Sequence, residues 1–247
     1  VITRAGVAEV SLPNKPLGRK AYGSIPHLPG SRLGPGDHHC HAGQESICLA
    51  KVRDKHDRVI VTEKLDGSCT AVAKIGDEIV ALGRAGWPAQ TSPYEQHQLF
   101  ASWVRQELGR FKALLCEGEW VCGEWLAQAH ATRYDLPHEP WVVFDLFSAG
   151  KRIPFDFLSA RCQYSKFTMP FVISDGPAFA VPQTITSHHG AIDPVEGAVW
   201  RVERRGEFDF LAKWVRPDKL DGIFLPEVSG KEAVWNWRPP EDWTVED

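Results

Sequence analysis

The strongest constraint on the fold is a series of short β-branched stretches joined by turns too tight to hold a crossover. Residues 58–65 read RVIVTEKL, a strand by composition. Residues 69–86, CTAVAKIGDEIVALGRAG, read as two strands closing at Gly76-Asp77, a pair suited to a two-residue hairpin. GAVWRVER (197–204) and FDFLAKWVR (208–216) repeat the pattern, with Gly206 between them. GEWVCGEWLAQ (118–128) and PWVVFDLFS (140–148) add further strands. Strands connected so closely pair antiparallel. One long helix interrupts them in TSPYEQHQLFASWVRQELGRFKALL: Ser92 is placed to cap it, Pro93 suits its first turn and Glu95 adds early negative charge. Leu99, Phe100, Trp103, Val104, Leu108 and Phe111 recur at helical spacing and predict a core-facing stripe. The class is α+β, with mostly antiparallel sheets flanked by helices.

The flanks read differently. Residues 11–46 are rich in Pro and Gly, and 1–57 are expected to form an irregular N-terminal strap over the domain surface. The folded domain is expected over 58–230. The tail, 231–247, carries WNWRPPEDW, whose three tryptophans are expected to dock on the domain. With 43% hydrophobic residues in 247, the chain can bury a sizeable core. A net charge of -4 argues mildly against a dedicated polyanion binder, although local patches outweigh totals. The basic clusters Lys51/Arg53/Lys55/Arg58, Arg201/Arg204/Arg205 and Lys213/Arg216/Lys219 read as solvated faces. Six cysteines without a Cys-x-x-Cys pair suit a reducing compartment. The first ten residues lack a signal-peptide core and no apolar run is long enough to span a bilayer, so a soluble cytoplasmic protein is expected.

Lys-Leu-Asp-Gly occurs twice, at Lys64 and at Lys219. Such a lysine can be a covalent nucleophile or part of a charged turn. The first copy ends a strand and has company downstream: GRAG at 83–86, CGEWL at 122–126, VVFDLF at 142–147, EGAVWR at 196–201 and LAKWVR at 211–216. The second follows a proline and lies beyond the last of these, so it reads as a turn in which Lys219 could still touch phosphate. In this order the first set resembles the covalent nucleotidyltransferase superfamily of polynucleotide ligases and capping enzymes, above all the ATP-dependent RNA ligases of the phage nick-sealing type and their bacterial relatives.

The resemblance covers roughly residues 60–220 and implies a ligase adenylation domain. Lys64 would be the nucleophile that becomes lysyl-AMP, and Asp66 would orient it or a metal-bound water. Arg84 would contact the ribose or the phosphate end, Glu124 would accept from a ribose hydroxyl, and Phe144 would stack on adenine. Backbone groups of Glu63 and Leu65 would read the adenine edge. Glu196 would hold a divalent metal, Mg²⁺ or Mn²⁺, and Lys213 would bind the α-phosphate. Lys213 and the metal would supply the positive charge that lowers the pKa of Lys64. The implied partner is RNA with 5′-phosphate and 3′-hydroxyl ends, in RNA repair, with a kinase or phosphatase preparing the ends and no membrane. A DNA ligase, a capping-type enzyme and a non-catalytic nucleotide- or RNA-binding relative are the rival readings. The second lysine of the phage-type motif is replaced by Val215, with Arg216 or Lys219 available to take its place. No OB-fold and no added helical domain are expected in the length after Lys219. His38, His39, Cys40 and His41 sit together; zinc binding, RNA contact and cover over the site mouth are the alternatives there. Cys69, near Lys64, reads as a small buried residue.

Overall fold

The computed structural model describes residues 15–240 and Trp243; the first ten residues, read above for a signal, lie outside the described residues. Two open antiparallel sheets face each other. One has the order β7-β1-β8-β9, built from β1 (Asp57–Lys64), β7 (Val172–Gly176), β8 (Gly197–Arg204) and β9 (Glu207–Val215). The other has the order β3-β2-β4-β5-β6, built from β2 (Ser68–Ile75), β3 (Glu78–Gly83), β4 (Trp120–Trp125), β5 (Trp141–Ser148) and β6 (Lys151–Arg152). Both expected hairpins form. Arg205 and Gly206 each take positive φ between β8 and β9, matching the twist of the paired strands.

The outer face of the second sheet is covered by α2 (Glu95–Gln106), α3 (Leu108–Leu114) and α4 (Phe155–Ser165). Phe100, Trp103, Phe111 and Leu158 bury there against Val72, Val121, Trp125, Trp141 and Leu146. Trp235, Trp237 and Trp243 pack on the same cluster, so the described part of the tail docks on the domain. The single long helix expected over 92–115 is two. Its first turn starts at Glu95, because Ser92 spends its hydroxyl on the Tyr94 amide and the His97 ring. It breaks at Glu107 (φ -95, ψ 15), and both halves still reach one core, with Trp103 and Phe111 rings 5.8 Å apart. Helix α4 gives little sequence signal: Leu158 and Cys162 are buried, but Phe157 and Tyr164 face solvent.

The N-terminal stretch is more than a surface strap. Ala21 and Tyr22 lie on the inner face of the second sheet, where Ala71 and Ala73 leave room for them. The Leu28 amide donates to Lys213 O (2.8 Å) and the Lys213 amide to Pro26 O (3.0 Å), so the strap runs beside β9. Leu28 is fully buried. Within the stretch expected to be irregular, α1 (Ala42–Leu49) is helical and packs Ile47 and Cys48 against Val59, Val61 and Trp200.

A buried polar network ties the sheets together across their inner faces. Asp145 of β5 accepts from Arg201 Nη1 of β8 (2.7 Å), Arg152 Nε (2.8 Å) and the Tyr22 hydroxyl (2.6 Å). Arg201 also donates to Glu203 (2.8 Å). Burial, then the Asp145 charge, pushes the Tyr22 phenol well above its usual range. Arg201 is therefore not on the solvated face its sequence cluster suggests. Removing Asp145 strips Arg152 of its carboxylate partner, and breaking a buried pair in this way typically costs about 3–5 kcal/mol.

Candidate active site

The sheets enclose a cleft of about 1150 Å³. Strand register explains what lines it. Lys64 pairs with Gly197, and Gly197 with Val215; two residues along, Thr62 pairs with Val199 and Val199 with Lys213. Side chains alternate across a strand, so Lys64, Val199 and Lys213 share the cleft face. The same parity turns Glu63 away: its carboxylate accepts from the Ser187 hydroxyl (3.0 Å) and the His188 amide (3.0 Å) on the far side. Glu63 can therefore offer the cleft only its backbone. Leu65 packs its side chain with Leu126, Tyr134 and Val142, leaving its carbonyl 3.4 Å from Lys64 Nζ. Gly197 must be glycine, since a Cβ there would sit 1.9 Å from Trp214 O.

The second sheet contributes the opposite wall. Cys69 pairs with Glu124, and Glu124 Oε1 accepts from the Gly67 amide at 3.0 Å. Cys69 itself is half-buried, with burial holding its thiol protonated. The β4–β5 register shifts beyond Gly123↔Val143, and Cys122 pairs with Asp145. Phe144 is the extra residue, and the bulge turns its ring to the inner face beside Tyr22, 5.0 Å away. Arg84, just past β3, donates to Gly23 O (3.0 Å) at the rim.

The cleft floor holds a charge cluster. Glu196, immediately before β8, accepts from Lys64 Nζ through Oε2 (2.5 Å) and from Lys219 Nζ through Oε1 (2.5 Å). Lys219 also donates to Asp66 Oδ1 (2.8 Å), and Asp66 Oδ2 accepts from the Ala131 amide (2.7 Å). The expected turn is present at the second copy, with Gly222 at φ 64, but its lysine is buried rather than solvated. Asp66 thus binds Lys219 and not Lys64. Lys213 stands apart, 3.8 Å from Asp37 of the strap.

These contacts set the protonation states. Burial pulls the Lys64 ammonium down, but the charges of Glu196 and Glu124 outweigh it and the net shift is upward. Lys213 moves the other way, lowered by burial and by Lys64. Burial raises Glu124 to about 7 against the pull of Lys64. Burial opposes ionisation of Asp66 as well, but Lys219 prevails and holds it below the usual carboxylate range. Lys219 is pushed upward by Glu196 and Asp66 in spite of burial.

Sequence reading missed His130 and Tyr22, which also line the cleft. His130 Nε2 lies 3.2 Å from Gln96 Oε1 and 3.3 Å from Ser68 Oγ, and burial lowers its pKa. Both residues come from irregular segments, where no periodicity marks them. Among the described residues no group of three or more His, Cys, Asp or Glu side chains is arranged to hold a metal. His39 bridges His27 as a strand neighbour, Cys40 packs into the core beside α1 and His41 precedes that helix, so the His38–His41 group diverges. A divalent ion held by Glu196 would therefore rest on few protein ligands. That fits Mg²⁺, which commonly takes one or two carboxylates and otherwise water and phosphate oxygens.

Residues 57–215 match the family model described as RNA ligase. No protein of curated function matches the sequence. Among solved structures, the fold is similar to Naegleria gruberi RNA ligase. A mutant of that enzyme with AMP and Mn gives a TM-score of 0.52 at 13% identity, over 77% of this chain and 59% of that one. An apo mutant gives 0.49 at 14% identity, over 66% and 50%. The chain spans about half the length of the ligase structures it matches. Among the described residues no helix is long and apolar enough to cross a membrane. With the family match running through both sheets and every strand that lines the cleft, the chain belongs to the RNA ligase family.

Proposed function

We propose that this chain is an ATP-dependent RNA ligase that works through lysyl-AMP at Lys64. The observation that carries the reading is the convergence of Lys64 and Lys213 on the cleft face of the first sheet, with Glu196 just before β8 bound to Lys64, opposite Glu124 and Phe144 of the second. Lys64 Nζ attacks the α-phosphorus of ATP, a P–N bond forms and pyrophosphate leaves. An RNA 5′-phosphate oxygen then attacks that phosphorus, and Lys64 is released. A 3′-hydroxyl finally attacks the activated 5′-phosphate and AMP departs.

The side chains divide this work. Phe144 offers its face to adenine, and Glu124 accepts from a ribose hydroxyl. Lys213, held only loosely at 3.8 Å from Asp37, meets the α-phosphate and steadies charge as pyrophosphate leaves. Arg84 reaches the ribose or the phosphate end. Lys64 begins as an ammonium and must lose a proton before it attacks; Glu196 Oε2, at 2.5 Å, is the nearest acceptor. Asp66 acts through Lys219, holding that cation against Glu196. Lys219 supplies the second cation that Val215 cannot. A divalent metal at Glu196 would add positive charge that favours neutral Lys64 and offsets phosphate charge. The substrate ends are 5′-phosphate and 3′-hydroxyl, as in RNA repair, where a kinase or phosphatase would prepare broken ends.

Incubation with α-labelled ATP and metal tests this. Covalent label on the wild type and none on Lys64→Ala is the expected result. Label surviving in Lys64→Ala sinks the assignment, and label from GTP in preference to ATP points to a capping-type enzyme. Joining assays with 5′-phosphorylated RNA and DNA strands then fix the acceptor.

A further inference from the structure

Most arginines outside the cleft are matched by acids: Arg53, Arg58, Arg133 and Arg204 each pair with aspartate. One region departs from this. Residues 15–36 and 79–94 contain no Asp or Glu, in a chain whose net charge is -4. The structure brings the two segments together. The Ala21 and Tyr22 amides donate to Arg84 O (3.1 and 3.2 Å), and a Cβ at Gly86 would meet Arg19 O at 2.2 Å. Lys15, Arg19, Lys20 and Arg84 gather there, and among the described residues none of them forms an ion pair. Arg19, Lys20 and Arg84 are exposed.

Trp87 stands in the same patch. It is 46% exposed, an unusual setting for so large an apolar side chain, and Lys15 Nζ lies 4.9 Å from its ring centre. Its backbone is fixed by the bond from the Gly83 amide to Trp87 O (2.9 Å). Trp87, Arg84 and the half-exposed Tyr94 also line the cleft, so the patch is continuous with the candidate active site. Unpaired cations beside an exposed, rigidly mounted aromatic match the two faces of a single nucleic-acid strand: phosphates and bases.

We propose that residues 15–20 and the loop after β3 form the landing surface for single-stranded RNA entering the cleft, with an unpaired base stacked on Trp87. Lys15, Arg19 and Lys20 take backbone phosphates, and Arg84 marks where the strand turns into the cleft. The assignment rests on the RNA ligase reading for the identity of the strand.

The test uses the full chain and two probes, a short fluorescent 5′-phosphorylated single-stranded RNA and a blunt duplex of the same sequence. Anisotropy is followed against salt, and AMP labelling from ATP is measured in parallel without RNA. The variants are Trp87→Ala, Trp87→Phe and the combined Lys15→Gln/Arg19→Gln/Lys20→Gln. Trp87→Ala should weaken single-strand binding about five- to hundredfold, with partial rescue by Trp87→Phe. The triple variant should weaken it at least tenfold at low salt and flatten the log–log salt slope by about 2. AMP labelling should be unchanged in the triple variant, which also shows that it folds, and cooperative thermal unfolding shows that the Trp87 variants fold. Equal RNA binding by variants and wild type, no RNA binding by a wild type that takes up AMP, or a preference for the blunt duplex overturns the landing surface and leaves the adenylylation reading standing. A wild type that takes up no AMP breaks that reading instead, while salt-dependent binding lost in the variants still supports the surface.

Discussion

Lys64–Gly67 and Lys219–Gly222 share four letters, and their lysines meet at opposite oxygens of Glu196. The rest of each tetrapeptide has a different fate. In the first, Leu65 and Asp66 are buried at 4% and 5% exposure, and Gly67 is packed so tightly that a Cβ would sit 2.4 Å from Trp125 O. In the second, Leu220 is 65% exposed and Asp221 faces solvent, and Gly222 serves a left-handed turn. The first copy is packed between the sheets; in the second, Lys219 reaches the cleft floor and Asp221 pairs with Arg32 of the strap. A local motif therefore says little about role until its surroundings are known, and the surroundings here are supplied by strand register.

The sharpest division should appear in AMP labelling. Lys64→Ala should show none above background. Lys219→Ala should still label, about ten- to a hundredfold more slowly, a barrier increase of about 1.4–2.7 kcal/mol from the lost buried cation. A gel assay with α-labelled ATP decides it. Equal loss in both variants erases the difference between the copies, and full activity in Lys219→Ala removes Lys219 from the machinery.

Stability should separate them next. Leu65→Ala empties a buried site and should cost about 2–5 kcal/mol in urea unfolding. Gly67→Ala forces backbone apart and should cost about 3 kcal/mol. Gly222→Ala meets only a left-handed φ and flexible Leu225 and Val228 side chains, and should cost about 1–2 kcal/mol. If Gly222→Ala proves the worse, the second turn carries more of the structure than its exposure indicates.

Why the first copy was legible and the second was not follows from the same contrast. The strands around Lys64, Glu124, Phe144, Glu196 and Lys213 announce themselves through β-branched runs and hairpin turns, and their order along the chain carries the family resemblance. Seven of the nine strands among the described residues could be anticipated in that way, but not the short edge strands β6 and β7. Lys219 could not be placed, because what buries it is a contact with Glu196 and Asp66 that has no periodicity behind it. Tyr22 and His130 escaped for the same reason, and the role of the strap beside β9 rests on backbone bonds that composition does not reveal. The upward push on Lys64 was equally hidden, because it comes from the charges of Glu196 and Glu124 outweighing burial, a balance that only the geometry supplies.

Glu124, which holds the first copy's Gly67 amide, gives the comparison a pH signature. Its carboxyl is raised from 4.5 to about 7, so its contribution to stability is fully present below about 4.5 and is lost as pH rises through 7. Glu124→Gln keeps an oxygen for Gly67 but cannot ionise. Between pH 5 and 8 the wild type should therefore lose stability relative to Glu124→Gln, on the order of 2–3 kcal/mol. Parallel curves for the two proteins in thermal unfolding across this range would remove Glu124 as the titrating group. Among the described residues no carboxylate is so placed on Gly222, and no matching trend is expected there.

The smallest effect should come from Leu220. At 65% exposure it touches little, and replacement by Ala should change stability by no more than about 0.5 kcal/mol and leave AMP labelling intact. The position is informative because Leu65 occupies the same place in the first copy. A loss at Leu220 comparable with that of Leu65→Ala would mean that the 217–224 turn is held as a packed unit. Lys219 would then owe its place to that packing. If Leu220→Ala is silent while Lys219→Ala slows adenylylation, Lys219 is held by its acidic partners Glu196, Asp66 and Asp221 rather than by packing of the turn.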